Sequence, residues 1–565
     1  MIKINLKKID FGKIKISDKA KSIIKFISIM IVLTLFTCLP YLEEGTIFAH
    51  DLTYHLNRIL GTSNEIGYGI FPVMIHSESL DSFGYGNPIF YPELFLYPAV
   101  VLVKLGFGLL FTYRMLIILI TFATFLVSYF SANVISKNSK ISYLVSMFYT
   151  MSLYRLVDVF VRGALGEVIA FIFLPLVLAG FYNVVFDDNK KWYLICLGLF
   201  GIVNSHILSF VITVILLVIL CLVNICKIIK DKKKIITLSV AAVVSILLIC
   251  SFVMPYIEQT MNHDFNVSVH KNSGESLKEN AASLKEIVSN ELVSNGITVS
   301  KGLGISLLVL PICIFMIKDK DKRKEFPFYI TIYVIGMVFV FISSKLFPWE
   351  DMEIFGIIQF PYRLNMISTL LLSFVAAYSV YETFDKKDDI FKLVILFIVV
   401  ITIGYLSSIN VNPNGIDYEI LMSGSEIGNG EYVPVGFSPD DKDVYNIYEF
   451  DNKIDYIKEG NMLKFEYSKN ENEFKVHVPI CYYKGYKAYL LNEEGKVKEE
   501  IEIEVRRNEL NSHLLLISDN KDIEGTVIVK YEMTTIQKIG YIISIMTFVI
   551  LVNYIIYVER IKEKE

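Results

Sequence analysis

Long apolar blocks separated by short lysine-rich segments run along most of the chain. The blocks are about 16–24 residues long, the length of helix that crosses a bilayer. This pattern predicts a mainly α-helical, polytopic membrane protein with about twelve transmembrane helices. The predicted spans are 22–41, 112–135, 141–155, 165–186, 191–206, 207–228, 235–256, 301–317, 326–346, 363–383, 390–408 and 536–558.

The lysines predict the orientation of these spans. Cytoplasmic loops of membrane proteins are rich in Lys and Arg, so the lysine-rich N-terminus and the C-terminus are expected in the cytoplasm of a bacterial plasma membrane. The first apolar run is longer than a signal-peptide core and is expected to be an uncleaved anchor. The same rule places these basic clusters inside: Lys137/Lys140, Lys190/Lys191, Lys230–Lys234, Lys318–Lys324, Lys386/Lys387 and Arg560–Lys564.

Residues 94–111 are apolar but are interrupted by Pro98, Lys104 and two glycines. Counting them as a span would move the later lysine clusters to the wrong side. The lysines therefore favour a juxtamembrane or re-entrant helix, and a thirteenth span is the alternative.

The outer side of the membrane then receives loops 42–111 and 257–300 and the block 409–535. The block alternates apolar and polar residues in LKFEY, FKVHV, KVKEEIEIEV, HLLLI and GTVIVKY, with turn signals at Asn492–Gly495 and Ser518–Asp522. This predicts an extracytoplasmic antiparallel β-domain, a small sandwich, between a membrane domain (1–408) and a last span with a cytoplasmic tail (536–565). Residues 271–300 are polar and poor in aromatics, which favours a mobile loop.

Composition agrees with a membrane protein. The 565 residues are 54% hydrophobic and 20% charged, with a mean hydropathy of +0.51. Residues 409–535 carry about 25 acidic and 14 basic side chains, so the net charge of −4 combines about −11 there with about +7 elsewhere. Six of the seven cysteines lie in apolar runs, and the cysteine spacing gives neither a disulfide framework nor a zinc site. These features exclude a cytosolic enzyme, a secreted disulfide scaffold and a nucleic-acid binder.

Arginines near the outer membrane surface are costly and usually functional, and three segments carry them. In HDLTYHLNRIL, Asp51, His55 and Arg58 are spaced to share one helix face. The alternative is that Asp51 is an N-cap and that the other two are solvated.

The second segment is YRLVDVFVRGALGE. Its pattern is interpreted as one polar helix face with Tyr154, Arg155, Asp158 and Arg162, followed by Glu167 at the start of the next span. A purely structural ion pair between Asp158 and Arg162 is the alternative.

In the third segment, IIQFPYRL, Gln359 and Arg363 are one turn apart and Pro361 begins a span. The alternative there is an interfacial anchor that reaches the lipid headgroups. His206 lies at a tight outer turn, where a hydrogen-bonding role is more common than a ligand role. The acidic run Glu350, Asp351 and Glu353 is compatible with a solvated surface or with oxygen ligands for a divalent cation such as Mg²⁺ or Mn²⁺.

These residues converge on one membrane face. A guanidinium group binds phosphate oxygens bidentately, so outer arginines suit a lipid-linked phosphate. An aspartate on a loop above the bilayer suits a general base.

The first-loop aspartate, the juxtamembrane helices and the large loop after span seven resemble the GT-C class of polyprenyl-phosphate-dependent glycosyltransferases. HDLTYHLNRI, FYPELFLYP, YRLVDVFVRGALGE, QFPYRL and VPICYYKGYKAYL are also similar to bacterial membrane proteins labelled "6-pyruvoyl-tetrahydropterin synthase-related" and to the YfhO-like group. The GT-C resemblance implies that Asp51 is the catalytic acid of the first loop and Asp158 a second outer carboxylate. His50 replaces the first acid of the paired motif of many members, which leaves metal dependence open.

The predicted function is transfer of a sugar from a polyprenyl-phosphate donor to an envelope glycan or lipid acceptor at the outer membrane face. A transporter or flippase for a lipid-linked intermediate and a non-catalytic scaffold of envelope assembly are the alternatives. A transporter would place polar residues at the midplane of repeated halves, and neither feature is evident. Besides Asp51 and Asp158, the candidate substrate-binding residues are His55, Arg58, Tyr91, Tyr154, Arg155, Arg162, Glu167, His206, Gln359 and Arg363.

Overall fold

The computed structural model describes residues 17–269, 271–294, 298–318, 325–384, 388–412, 430–437, 447–449, 452–468, 474–505, 513–518 and 523–562. They form a bundle of apolar helices and an antiparallel sheet. The bundle helices are Asp18–Thr37, Leu109–Ser136, Ser139–Thr150, Leu153–Val157, Leu165–Phe186, Tyr193–Val203, Ile207–Val223, Lys232–Leu248, Cys250–Asn262, Ile305–Val309, Phe326–Ile342, Asn365–Phe384, Asp388–Ser407 and Thr535–Lys562. Shorter helices in the connections are Leu39–Leu42, Leu52–Gly67, Asn87–Phe90, Tyr97–Lys104, Ile225–Ile229, Asn266–Val269, Gly274–Asn280 and Leu284–Val288. Short segments of 3₁₀ or π helix are Leu94–Leu96, Asp158–Arg162, Leu310–Met316, Trp349–Asp351, Glu353–Ile358 and Pro361–Leu364.

Helix length supports a membrane protein. In the described residues, five helices are long and apolar enough to cross a bilayer, or seven when each of two bent pairs counts as one span. The bends are 43° between Ser139–Thr150 and Leu153–Arg162, and 63° between Lys232–Leu248 and Cys250–Asn262. The other predicted spans correspond to helices of 10–17 residues. The number twelve therefore stays a prediction.

Burial separates central from peripheral helices. In the most apolar stretches of Leu165–Phe186 and Pro361–Phe384, 89% and 94% of the residues are buried inside the protein. The corresponding share is 17% for both Asp18–Thr37 and Thr535–Val558, whose apolar side chains face outward. A helix that is apolar all round is a core helix when surrounded by others, whereas a peripheral one presents its surface to lipid.

Short connections join most bundle helices, so successive helices run antiparallel and their ends collect at two opposite ends of the bundle. The connections 137–138, 187–192 and 224–231 lie at one end, which carries several lysines. Arg162, His206 and Arg363 lie at the other, where they line one cavity. We call these the lysine end and the cavity end.

The ambiguous block 94–111 does not form one continuous helix. Its apolar helical part, Leu94–Lys104, is too short to cross a bilayer. Gly106 then adopts φ +90°, and Leu109 begins the next long helix.

The expectation of a mobile loop over 271–300 is wrong for its described part. Leu277, Ala281 and Ala282 are fully buried. The Ala282 N–H donates to Ser343 O at 3.0 Å, and the Lys345 N–H donates to Ala282 O at 2.8 Å. The two consecutive alanines let the backbone at Ala282 approach the backbone at Ser343 and Lys345 this closely. The low aromatic content of the segment, which favoured a mobile loop, does not reveal such packing.

Eleven strands occur in the described residues: β1 Val293–Ser294, β2 Thr298–Val299, β3 Ile447–Glu449, β4 Asn452–Ile454, β5 Tyr456–Glu459, β6 Met462–Tyr467, β7 Phe474–Cys481, β8 Tyr486–Leu491, β9 Val497–Val505, β10 His513–Ser518 and β11 Gly525–Tyr531. β1 and β2 form a small hairpin. The other nine form one antiparallel sheet in the order β4-β3-β7-β10-β9-β8-β11-β6-β5. The predicted strands in 463–531 are all present, and the turn Asn492–Gly495 joins β8 to β9. The predicted turn at 518–522 lies mostly outside the described residues.

The strand β9 joins two halves of this arrangement, and the small sandwich stays a prediction. Its residues Val497–Ile501 pair with β8, and its residues Glu502–Val505 pair with β10. Sequence alternation gives the faces of each strand but not which partner each part of a long strand selects.

The sheet is fastened to the connection 42–111. Met74, Phe83, Tyr85 and Phe90 from that connection share a buried core with the strands. Lys458 Nζ donates to the carbonyl oxygens of Ser77, at 3.0 Å, and Ser82. Burial lowers the pKa of Lys458 to about 8. This packing brings the segment 430–437 to the cavity end.

Candidate functional site

A cavity of about 2230 Å³ occupies the cavity end of the bundle. It is larger than the 300–1,000 Å³ of a typical small-molecule site, so it has room for more than one substrate group. Seven of the residues predicted from the sequence line it: Asp51, His55, Tyr91, Arg162, His206, Gln359 and Arg363. Five others lie behind its wall: Arg58, Tyr154, Arg155, Asp158 and Glu167.

The backbone of Arg162 holds Asp51 in place. The Asp51 N–H donates to Arg162 O at 2.8 Å, and the His50 N–H donates to Val161 O at 3.1 Å. Asp51 occupies the N-cap position of Leu52–Gly67, yet its side chain makes no capping hydrogen bond. The carboxylate is therefore free for the cavity, so the N-cap alternative does not account for it.

The surroundings of the Asp51 carboxyl change its acidity. Burial raises its pKa above the ordinary value, whereas the positive charges of Arg162 and Arg363 oppose the rise. The carboxylate thus lies within the field of both cavity arginines, and a raised pKa makes it a better proton acceptor once ionised.

Gly163 makes the close approach between the backbones of Asp51 and Arg162 possible. It has φ +65°, and a Cβ there would lie 2.7 Å from Ala49 Cβ. We expect Gly163→Ala to lower the free energy of unfolding by at least about 1–2 kcal/mol, from the left-handed backbone alone. Chemical denaturation of the purified protein would measure it. Gly404→Ala, at a helical site with nothing within 4 Å, is the control. Equal stability of the two variants would contradict the prediction.

Glu167 is the centre of a buried network. Its Oε2 accepts from Arg162 Nη1 at 3.1 Å and from Arg363 Nε at 3.2 Å. Its Oε1 accepts from Tyr154 OH at 2.5 Å. Asp158 accepts a further hydrogen bond from Arg162 Nη1. The network contains the ion pair Asp158–Arg162 of the structural alternative, and it also orients two arginines toward the cavity.

Arg363 does not reach outward to lipid headgroups, so the interfacial-anchor alternative is wrong. Its side chain is 7% exposed, and Nη1 donates to Ile358 O and to Gln359 Oε1, both at 3.1 Å. Among the described residues, Nη2 has no hydrogen-bond partner, which leaves it available to a ligand.

The expectation that Arg155 binds a lipid phosphate is wrong. Its side chain is fully buried between helices, where Nη1 donates to Thr150 O and Nη2 to Thr121 Oγ1, each at 3.1 Å. In a regular α-helix residues 155 and 162, which are seven apart, would share a face. Asp158–Arg162 is instead a π-helical turn, whose wider turn rotates Arg162 away from Arg155. Asp158 is fully buried as well, so it can position Arg162 but does not face the cavity.

Arg58 is paired with a carboxylate that the sequence analysis missed. Glu93 accepts from Arg58 Nε at 3.2 Å, from Asn87 Nδ2 at 2.9 Å and from Thr62 Oγ1 at 2.5 Å, and it lies 3.1 Å from His76 Nε2. These charge partners hold the pKa of Glu93 below its ordinary value despite its burial. The sequence feature that could have identified Glu93 is its position inside the apolar run FYPELFLYP.

Two histidines and Tyr91 adjoin this network. His55 Nε2 accepts from the Leu165 N–H at 3.2 Å, and burial lowers the pKa of its ring, which stays neutral. The Arg58 guanidinium lies 4.1 Å from the centre of the Tyr91 ring. Burial raises the pKa of Tyr91 to about 12. His206 Nδ1 lies 2.7 Å from Ser209 Oγ, which agrees with the expected hydrogen-bonding role.

Gln359 has an unusual backbone, with φ +63° and ψ −56°. Its carbonyl oxygen accepts from Asn272 Nδ2 at 2.9 Å while its side chain contacts Arg363. A non-glycine residue in such a conformation stores about 1–3 kcal/mol and is typical of functional sites.

Further cavity residues were not predicted. Tyr362 lies between two cations, 5.4 Å from the Arg162 guanidinium and 5.9 Å from Lys301 Nζ. Glu431 and Tyr432 reach the cavity from the segment 430–437.

The described residues contain no group of three or more metal-ligating side chains. In the acidic run, Glu350 accepts from Lys278 Nζ at 2.6 Å.

The fold and site define a membrane protein with a large polar cavity at one end of its helical bundle. No family model matches the chain. An uncharacterised protein of Lactococcus lactis subsp. cremoris (strain MG1363) is 22% identical over an alignment of 604 positions, gaps included, which covers 96% of this chain and 96% of that protein.

Among solved structures, the chain is similar to the mycobacterial arabinofuranosyltransferase AftD, with 10% identity and a TM-score of 0.41. The match covers 67% of this chain and 26% of that enzyme. A variant of AftD gives the same TM-score with 11% identity, over 68% of this chain and 28% of that one. The chain thus spans about a quarter of that enzyme, and its function has to be argued from its own site.

Proposed function

We propose that the protein is a membrane glycosyltransferase that moves a sugar from a polyprenyl-phosphate donor to an acceptor of the cell envelope. One observation carries this proposal. The uncapped Asp51 carboxylate lines a large cavity within the field of two arginines that are themselves fixed by a buried carboxylate.

The arginines supply the site for the donor phosphate. Arg162 and Arg363 share Glu167, and Asp158 also binds Arg162, so the four groups balance in charge when all are ionised. The guanidinium N–H groups that have no partner among the described residues offer directional hydrogen bonds to phosphate oxygens. The buried charge stays compensated by the two carboxylates when the site is empty. Lys271, Lys285 and Lys301 also line the cavity and add positive potential.

An apolar rim supports a lipid-linked donor. Ile207, Leu208, Val211 and Ile357 line the cavity. Val211 is 37% and Ile357 58% exposed, which provides an apolar route for a polyprenyl chain between the cavity and the bilayer. The lysine end would lie in the cytoplasm by the positive-inside rule, so the cavity end would face outward.

The reaction follows from these positions. The acceptor hydroxyl attacks the anomeric carbon, its proton passes to Asp51, and the bond from that carbon to the phosphate oxygen breaks. Arg162 and Arg363 stabilise the negative charge that grows on the leaving phosphate. Phosphate leaves readily, so no second carboxylate is required as a general acid. The flippase alternative gains little support, because the cavity's charged residues gather at one end of the bundle.

Binding of undecaprenyl phosphate to the purified protein in nanodiscs tests the donor site. We expect Arg363→Gln to weaken binding roughly 10–100-fold, because hydrogen bonds to charged groups contribute about 1.5–3 kcal/mol. Arg114→Gln removes an arginine that donates to Glu43 O outside the cavity lining and should leave the affinity unchanged. Equal affinities of both variants would remove Arg363 from the proposal, and no binding to the wild type would overturn the proposed function.

A further inference from the structure

The cavity has two chemically different sides. One side carries the cations Arg162, Arg363 and Lys301 around Tyr362. The other side carries the aromatic rings of Tyr54, Tyr85, Phe90, Tyr91, Tyr256 and Tyr432 together with Glu431. We call the second the aromatic side.

The rings of the aromatic side form two groups that line the same cavity. Phe90 stacks on Tyr432 with ring centroids 5.4 Å apart and planes 5° from parallel. Tyr85 lies 6.0 Å from Tyr432, and Tyr54 lies 6.1 Å from Tyr91. Tyr85 and Phe90 are fully buried, so the area open to a ligand comes from the half-buried rings of Tyr54, Tyr91, Tyr256 and Tyr432. Flat apolar faces with phenolic edges suit an amphipathic ring better than an anion.

Glu431 is presented to this side by a rigid segment. The Asn266 N–H donates to Val433 O at 3.1 Å, and the Val267 N–H donates to Glu431 O at 2.7 Å. Tyr483 OH donates to Tyr432 O at 3.0 Å. These bonds fix the backbone, whereas the Glu431 carboxylate has no hydrogen-bond partner among the described residues.

Asp51 lines the same cavity as both sides. Burial raises the pKa of Glu431, the Asp51 carboxylate raises it further, and Arg363 opposes the rise, so the two carboxylates and the arginine are electrostatic neighbours. A general base for sugar transfer must reach the acceptor hydroxyl while the donor phosphate is held on its other side.

From this arrangement we propose that the aromatic side is the acceptor site, that its ligand is a neutral saccharide, and that Glu431 and Tyr432 bind it. The inference rests on the proposed function and adds the class of the acceptor. Rings of Tyr54 and Tyr432 provide contact area for a sugar ring, and Glu431 accepts hydrogen bonds from its hydroxyl groups. Glu431 is a binding residue, whereas Asp51 takes the proton.

Saturation-transfer NMR on the full-length protein in nanodiscs tests the site. The probes are methyl glycosides of common hexopyranoses and pentofuranoses. We expect at least one to bind the wild type and its affinity to fall about tenfold in Glu431→Gln, since one hydrogen bond to a charged group is lost. Tyr432→Ala should remove the signal. Glu350→Gln changes an exposed glutamate outside the cavity lining and should have no effect.

Undecaprenyl phosphate, titrated into the same samples, separates the two proposals. If no glycoside binds the wild type, or if Glu431→Gln binds as well as wild type, the acceptor site is wrong while Arg363-dependent phosphate binding still supports the transferase. If undecaprenyl phosphate does not bind, the proposed function is wrong, whatever the glycosides do. Binding of choline instead of every glycoside would also overturn the inference, because it would indicate a cation site.

Discussion

Asp51→Asn is expected to reduce sugar transfer by about 10²–10⁴-fold, the usual contribution of a general base. Asparagine has the shape of aspartate but does not accept a proton at neutral pH. Binding of undecaprenyl phosphate should be as tight as in the wild type or tighter, because the substitution removes a negative charge near Arg162 and Arg363. The measurement is radiolabelled sugar transfer by membranes of cells that produce each variant.

Asp351→Asn is the matched control, an exposed aspartate outside the cavity lining. The pH profile gives an independent test. Since burial raises the pKa of Asp51, the wild-type rate should fall as the pH drops through a value above the ordinary aspartate pKa of about 3.9. Transfer by Asp51→Asn at the wild-type rate would exclude Asp51 as the base.

Glu167→Gln is expected to lower the free energy of unfolding by about 3–5 kcal/mol, because it leaves two buried arginines without their shared carboxylate. The glutamate is completely buried, so water cannot replace it. Reversible denaturation in mixed micelles, followed by circular dichroism, measures the loss. Donor binding should weaken too, since Arg162 and Arg363 lose their fixed orientation.

Glu500→Gln provides the comparison, because it breaks an exposed ion pair of 3.0 Å with Lys487. Exposed pairs contribute about 0–1 kcal/mol, so this variant should be nearly as stable as wild type. If Glu167→Gln were no less stable than Glu500→Gln, Glu167 would not be the centre of the network.

Local patterns explain why much of the fold was predictable. The helices follow the apolar blocks, and β6, β7, β9, β10 and β11 follow the alternation of their residues. The predicted packing was less accurate where small residues decide it, as at Ala281 and Ala282. The alternation of residues along β9 does not indicate that the strand divides between two partners.

The site was predictable in its polar types and only in part in its geometry. Asp51, Arg162 and Arg363 were identified because charged groups beside apolar blocks are costly and usually functional. Arg155 looked equivalent to Arg162, because residues seven apart share a face of a regular α-helix, but it points into the bundle. The π-helical turn Asp158–Arg162, which separates the two side chains, was not predicted from the sequence. Glu431 was not identified, because the sequence around it resembles an ordinary acidic loop.

By itself, the sequence determined that the chain has bilayer-length apolar helices, that one end of the bundle carries the lysines and that a β-sheet follows. Each of these features depends on periodicity and composition within one segment. Only the tertiary structure decided which charges meet. Glu167 binds Arg363 across 196 positions of sequence, and Glu431 lines the same cavity as Asp51 from a different segment. Such pairings depend on how whole helices and loops pack, and no local pattern encodes the distance between them.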